Sequence, residues 1–364
     1  MPDAPLLLTP GPLSTPTAVR EAMGVDYGSR DGRFVALVGR VRRQLVELVA
    51  DPADYACVLM QGSGTFSVEA AIGTLVPRDG HVLVLINGAY GRRMEEICRV
   101  LGRRHRSLVC AEHRPVCLHS LERVLTRHRD ITHVLAVHCE TTTGLLNPIE
   151  AIAEIVARQG RQLIIDAMSA FGALPLNAAT TPFEAVVASS NKCLEGAPGV
   201  GFVVGRRDAL EAARGNAHSL SLDLSDQLAR FDRDGQWRFT PPTHVMAALD
   251  AALTVHRDEG GVEGRGARYR ANCARLVEGM RARGFRTLLP DPLQAPIIVT
   301  FHQPEDPSFS FDVFYDALYA RGFAIYPGKL TEVETFRVGC IGQVYEADVA
   351  RFLEAVDAAM AALS

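Results

Sequence analysis

The sequence predicts an α/β fold: a large domain with a mostly parallel sheet flanked by helices, followed by a smaller α+β domain. Three observations predict it. Apolar runs of strand length, at 81–86, 132–138 and 163–166 for example, alternate with segments of helical spacing. Hydroxyl, aromatic and carboxylate groups fall just after such runs, at Ser63, Tyr90, Thr141 and Asp166, and the carboxyl ends of parallel strands are where ligands collect. The chain has 364 residues, 48% hydrophobic and 22% charged, long enough for two domains with separate cores.

The chain opens with Leu8-Thr9-Pro10-Gly11-Pro12-Leu13-Ser14-Thr15-Pro16, whose prolines and glycine exclude regular helix and suit an extended arm over residues 1–16. Thr17 is placed to cap a helix. Phe34 to Val49 has helical spacing, with Arg40, Arg42 and Arg43 on the wet face. Leu59 to Ala71 passes from a strand through Gly62-Ser63-Gly64 into an apolar helix. Such a junction aims free N–H groups and the positive end of the helix dipole at one point, a cradle for a single phosphate with hydroxyls from Ser63 and Thr65. It is no dinucleotide fingerprint, because Ser67 stands where the third glycine belongs. Nor is there a P-loop, since Leu330 follows Gly328-Lys329.

Strand 81–86 leads through Asn87-Gly88-Ala89 to Tyr90, whose ring is left free by small neighbours to face a ligand. Residues 101–129 are basic and irregular and read as a solvated face. Strand 132–138 runs into Thr141-Thr142-Thr143, and a helix starts after Asn147-Pro148; His138 reads as a structural histidine with its hydrogen bonds satisfied. A helix near 207–214, a polar stretch and the loop Thr240-Pro241-Pro242 precede a long helix. Gly260-Gly261 breaks the helical stretch 252–283 and sets the boundary between a large domain, 17–258, and a small one, 259–364. The small domain alternates strands such as 297–301 with helices at 313–320 and 347–362.

Chemistry centres on Lys192, which sits among small, mostly uncharged residues between the apolar runs 185–187 and 200–204. A primary amine attacks an aldehyde only as the neutral base, and burial penalises its ammonium form. A lone lysine in a loop is ordinarily a surface residue. Asp166, which ends the apolar strand Leu163-Ile164-Ile165, argues otherwise: a buried carboxylate beside a lysine-bound cofactor suits a protonated pyridine nitrogen.

Ile165-Asp166-Ala167-Met168-Ser169 and Ser190-Asn191-Lys192-Cys193 together resemble the pyridoxal-phosphate site of the class V, fold type I aminotransferases. Leu8-Thr9-Pro10-Gly11-Pro12, Tyr326-Pro327-Gly328-Lys329-Leu330 and Thr335-Phe336-Arg337-Val338-Gly339 extend the likeness over almost the whole chain. The resemblance implies pyridoxal 5'-phosphate as cofactor, with Lys192 as anchor and proton carrier and Asp166 against the ring nitrogen. It implies Tyr90 stacked on the ring, Thr141 close to the cofactor, and Ser63, Gly64 and Thr65 on the phosphate. It further implies a homodimer with shared active sites, in which Thr240 reaches the partner's cofactor phosphate. Arg337 would grip the substrate's anionic group, and Gly11 would bring the arm to the substrate pocket. Arg30, in Ser29-Arg30-Asp31, is a further candidate for substrate binding.

Within the family the likeness is greatest to members that move the amino group of 2-aminoethylphosphonate to pyruvate, giving phosphonoacetaldehyde and L-alanine. Transfer from alanine or serine to glyoxylate is the alternative. Ser225-Asp226-Gln227-Leu228 departs from the phosphonate-using pattern, which tends to carry aromatic residues there. A cysteine desulfurase would place histidine before the lysine, where this chain has Asn191, and an inactive cofactor-binding protein would not need both Lys192 and Asp166.

A net charge of −4 gives no electrostatic case for nucleic acid or an anionic membrane surface. The partners implied are a small amine donor and a 2-oxo acid acceptor. The first residues carry no basic n-region, and no run approaches the ~20 apolar residues of a membrane helix. Eight cysteines without CxxC spacing suggest no metal site and a reducing, cytoplasmic setting.

Overall fold

The computed structural model describes residues 4–330 and 333–361. Seven strands form the central sheet: β1 (Tyr55–Gln61), β2 (His81–Ile86), β3 (Arg104–Val109), β4 (His133–Val137), β5 (Gln162–Asp166), β6 (Ala185–Ser189) and β7 (Val200–Arg206). Their order across the sheet is β1-β7-β6-β5-β4-β2-β3. Only β7 runs against its neighbours, pairing antiparallel with both β1 and β6. β2, β4 and β6 are buried along their whole length, as unbroken apolar strands between two helical layers must be.

The edge strand β3 lies in the stretch that the sequence presents as irregular. Its charged residues alternate outward along an edge with one neighbour, so the apolar signature of the inner strands is missing. The helix Leu118–Arg127 follows it, burying Leu121 and Leu125. The polar segment after Ser219 likewise ends in a helix, Leu224–Asp234, capped by the Asp223 side chain on the Asp226 N–H. Pro16, not Thr17, caps the first helix, Thr17–Ala22, and no side chain bonds its free N–H groups.

Arg42 differs from the wet-face expectation for helix Gly32–Glu47. Its Nε donates to the Cys57 carbonyl at 2.8 Å, and its guanidinium lies 4.4 Å from the centre of the Phe231 ring. His138 also departs from expectation: it is buried and its Nδ1 has no hydrogen-bond partner, so burial pushes the imidazole down to about 4.

The C-terminal part carries a three-stranded antiparallel sheet with Thr335–Gly339 between Ile298–His302 and Tyr326–Pro327. Helices Gly261–Ala282, Phe311–Tyr319 and Glu346–Ala361 accompany it. Two large apolar clusters result. One fills the space around the central sheet; the other gathers Phe301, Phe314, Phe336 and Phe352. The helix Gly261–Ala282 enters both, through Tyr269 in the first and Leu276 and Met280 in the second. The N-terminal arm does likewise: Leu8 packs in the second cluster and Leu13 in the first, and Leu6–Leu7 pairs parallel with Phe323–Ala324.

Candidate active site

Lys192 lies in the turn between β6 and the reversed strand β7. That turn is closed on itself: Glu195 N–H donates to the Lys192 carbonyl at 2.8 Å and Gly196 N–H to the Ser190 carbonyl at 2.8 Å. The Ser190 hydroxyl donates to the carbonyls of Ala197 and Val200. Lys192 Nζ donates to the Pro10 carbonyl at 2.6 Å, which brings the arm directly over the lysine. Gly11 makes that approach possible. Its φ is +114°, and a Cβ there would lie 2.6 Å from Lys192 Nζ.

Burial pulls the Lys192 ammonium down to about 8; Lys329 and Arg337 push the same way, against the attraction of Asp166. At pH 7 that leaves roughly a tenth of the amine neutral, several hundred times more than in a free lysine. Asp166 ends β5 and is buried. Burial holds its carboxyl up at about 6, although the Met168 N–H donates to Oδ1 at 3.0 Å and Arg93 and Lys192 favour the charge. Among the described residues it forms no ion pair at contact distance, so it is a carboxylate placed to receive a cation.

Ser63 and Gly64 open the helix Gly64–Leu75 directly beyond β1, and Ser63 is the capping residue with its side chain unused. Free N–H groups therefore point out of the first turn. A Cβ on Gly64 would collide with the Met168 thioether, so the cradle and the Asp166 strand end touch through this glycine. The Thr65 hydroxyl accepts from Arg93 Nη1 at 3.3 Å. Tyr90 begins the helix after β2, and Arg93 and Lys329 lie 4.9 and 5.8 Å from its ring centre.

Arg337 is buried in the middle strand of the C-terminal sheet, opposite Thr300 and Tyr326. Nε donates to the Pro327 carbonyl at 3.0 Å and Nη1 to the Thr141 carbonyl at 3.1 Å. The second bond ties the C-terminal sheet to the threonine turn beyond β4. No carboxylate within the described residues pairs with Arg337, and burial lowers its pKa.

The structure thus draws together Gly11, Lys192, Asp166, Gly64, Thr65, Tyr90, Thr141 and Arg337 through direct contacts and mutual charge effects. It does not draw in Thr240 or Arg30. Thr240 is exposed in the loop before the helix Thr243–Asp258, and Arg30 is exposed before the helix Gly32–Glu47; neither has a bond to the lysine cleft among the described residues.

Three contributors escaped the sequence reading. Glu140 is wholly buried, and its carboxylate accepts from Tyr90 N–H at 3.2 Å and from the Thr142 N–H and hydroxyl at 3.1 and 2.7 Å. It therefore fixes the backbone under Tyr90. Burial raises its pKa. Arg93 and Lys329 are the other two. For Lys329 the available signal was scarcity, since it and Lys192 are the chain's two lysines; Arg93 is one arginine among many and carried no such signal.

A mostly parallel sheet that carries a half-buried lysine, a buried carboxylate and the open first turn of a helix at its strand ends is the arrangement of a pyridoxal-phosphate enzyme of fold type I. The chain belongs to the aminotransferase class-V family, whose profile matches residues 24–308. Membership makes pyridoxal 5'-phosphate its cofactor and an aminotransferase its class. A relative from Pseudomonas entomophila named 2-aminoethylphosphonate–pyruvate transaminase is 55% identical over 356 residues, 98% of this chain and 97% of its own length. One from Burkholderia lata, named 2-aminoethylphosphonate–pyruvate transaminase 2, is 56% identical over 95% of this chain and 92% of its own. The solved alanine–glyoxylate aminotransferase of Nostoc sp. shares the fold with a TM-score of 0.92 at 23% identity, covering 99% of this chain and 96% of its own. No helix among the described residues is long and apolar enough to cross a membrane.

Proposed function

We propose that this chain transfers the amino group of 2-aminoethylphosphonate to pyruvate, giving phosphonoacetaldehyde and L-alanine. Arg337 is the observation that carries the reading: a buried guanidinium with two donors spent on backbone carbonyls and no carboxylate beside it calls for an anionic ligand. The names of relatives at 55–56% identity over nearly the full chain support the phosphonate donor over the alanine or serine to glyoxylate alternative.

The residues present fit the cofactor. Asp166 is a buried carboxylate lacking a cation, Gly64 and Ser63 present unused N–H groups, and the Lys192 amine bonds only a backbone carbonyl. Bound pyridoxal phosphate supplies an electron sink for the substrate carbon. Lys192 Nζ anchors it and then carries the proton to and from that carbon, a task suited to an amine held near 8. Asp166 holds the ring nitrogen protonated, and Ser63, Gly64 and Thr65 receive the phosphate. Glu140 keeps Tyr90 in place beside the ring, and Thr141 lies against Arg337.

The active unit is a homodimer in which Thr240 completes the partner's phosphate site. Support comes from the exposure of Thr240 and its neighbour Phe239, and of Phe66 in the first turn of the phosphate helix. Sedimentation that finds a fully active monomer refutes this part. The donor is tested by mixing the yellow enzyme with single amines: 2-aminoethylphosphonate bleaches the cofactor absorbance far more efficiently than serine. Bleaching by serine or alanine, with turnover on glyoxylate and none with the phosphonate, moves the chain to the alternative reaction.

A further inference from the structure

Glu195, three residues beyond Lys192, is the one non-glycine residue among those described with positive φ, at 59°. An L residue adopts this conformation only when its surroundings impose it. Glu195 is also wholly buried. Its Oε1 accepts from the Tyr269 hydroxyl at 2.6 Å and from Arg268 Nη2 at 2.7 Å, and its Oε2 accepts from Gln343 Nε2 at 2.6 Å. Arg265 Nη1, 3.4 Å from Oε1, donates at 2.6 Å to the carbonyl of Cys193, the residue after the lysine. No role in the transfer reaction explains this concentration of donors.

The contacts close a ring. Glu195 N–H holds the Lys192 carbonyl, and its carboxylate holds the Gln343 side chain. Gln343 N–H donates to the Ser14 carbonyl of the arm at 3.0 Å, and the arm's Pro10 carbonyl receives Lys192 Nζ. Arg268 reinforces the ring by donating to the carbonyls of Gly342 at 2.5 Å and Val344 at 3.0 Å. Gly342 packs on the arm, where a Cβ would lie 3.2 Å from that of Leu13. The strand that carries Arg337 leads straight into this turn, and its last residue, Gly339, donates its N–H to the Leu8 carbonyl at 2.9 Å.

We propose that Glu195 is a positioning residue, which ties the lysine turn, the 340–344 turn and the N-terminal arm into one ring and so holds Lys192 and Arg337 in fixed relation. The inference rests on the reading of these two residues as anchor and anion grip. Glu195 touches neither cofactor nor substrate. It acts through its N–H on the Lys192 carbonyl and through its carboxylate on Gln343.

The test uses Gln343→Ala, which opens the ring at a half-buried side chain and leaves Glu195 its bonds to Arg268 and Tyr269. Glu195→Gln, which unbalances two arginines, is the second variant. Labelling of the cofactor-free protein with acetic anhydride at pH 8, mapped by peptide mass spectrometry, reports Lys192 against Lys329 as internal reference. With Gln343→Ala the Lys192-to-Lys329 ratio rises, because Nζ is released from Pro10, while the melting temperature falls by only a few degrees and folding is kept. In the loaded enzyme kcat/KM for the amine donor falls about tenfold, the value of one hydrogen bond to a charged group. Glu195→Gln moves the ratio the same way. An unchanged labelling ratio in both variants overturns the proposal, whatever happens to stability. Absence of turnover in the wild type would instead count against the proposed reaction, since the labelling needs neither cofactor nor substrate.

Discussion

Replacing Asp166 by Asn should make the cofactor-free protein more stable and the enzyme inactive. Folding holds the Asp166 carboxyl at about 6 against an ordinary 3.8, through burial. Between those two values the folded chain binds the proton and the unfolded chain does not, so stability falls as pH rises through that window. Above about 6 the penalty is complete, and a displacement of this size corresponds to about 3 kcal/mol. An asparagine keeps the acceptor for the Met168 N–H but adds an amide whose own desolvation takes back part of the gain. A net gain of about 1–2 kcal/mol at pH 7 is expected, a rise of about 1–3 °C in Tm for a chain of this size. Urea unfolding of the two cofactor-free proteins from pH 4 to 7 is the assay. The difference should grow from pH 4 to about pH 6 and then level off. Cofactor addition should raise the stability of the wild type more than that of the variant, because only the carboxylate gains a charged partner. A less stable Asp166→Asn protein at pH 7, or a difference that ignores pH, refutes the burial argument.

Other expectations follow from the same geometry. Cofactor capture by the cofactor-free chain should accelerate with a midpoint near pH 8, where Lys192 loses its proton, and borohydride reduction should fix the adduct on Lys192; recovery on Lys329 sinks the assignment. Arg337→Ala should weaken both half-reactions by ~30-fold to several thousand-fold, corresponding to ~2–5 kcal/mol for the loss of one buried charged partner. Wild-type kinetics in single-turnover measurements on that variant would remove Arg337 from the site. Gly11→Ala forces a Cβ against Lys192 Nζ at a φ of +114°, so turnover should fall at least about tenfold with the arm displaced, and normal turnover would show that the arm does not sit over the lysine in solution.

The inner strands were legible because burial on both faces demands unbroken apolar runs, and the lysine and Asp166 were legible because one stands as a lone charge in the small-residue turn between two such runs and the other ends a run with a charge. Edge strand β3 was not, since a strand with one neighbour carries its charges outward and loses the inner signature. The helix Leu224–Asp234 hid in a polar stretch for the same reason: only Leu224, Leu228 and Phe231 among its large apolar residues face inward. Arg42 was not legible because its environment, the Cys57 carbonyl and the Phe231 ring, comes from residues distant in sequence, and no local pattern announces that burial leaves His138 Nδ1 without a partner. Within the site, motifs singled out the residues proposed to face the cofactor. Glu140 faces backbone N–H groups and Glu195 faces the side chains of Arg268, Tyr269 and Gln343, and nothing in local sequence separates a buried structural carboxylate from an exposed one. Only the folded chain, which brings Tyr90 to one and Gln343 to the other, reveals them.

The charge balance of the cleft links the chemistry of the lysine to the choice of substrate. Lys192, Lys329 and Arg337 all have pKa values lowered first by burial, and each is further lowered by at least one other cation or left without a paired carboxylate. The buried carboxylates nearby are Asp166, proposed to meet the ring nitrogen, and Glu140, engaged with the Tyr90 and Thr142 N–H groups. Positive charge therefore exceeds what the protein neutralises, and the deficit is made good only when an anion enters. A phosphonate with up to two negative charges answers it more fully than a single carboxylate, while pyruvate still meets the guanidinium fork. In the cofactor-free chain the same excess keeps a fraction of Lys192 neutral and nucleophilic. Once the substrate amine has released Nζ, the bound dianion offsets part of that excess and favours proton uptake at Nζ, so binding and proton uptake reinforce each other. Substrate selection and proton transfer are in this sense one electrostatic property of the cleft, and a variant that restores local neutrality with a new carboxylate would impair both together.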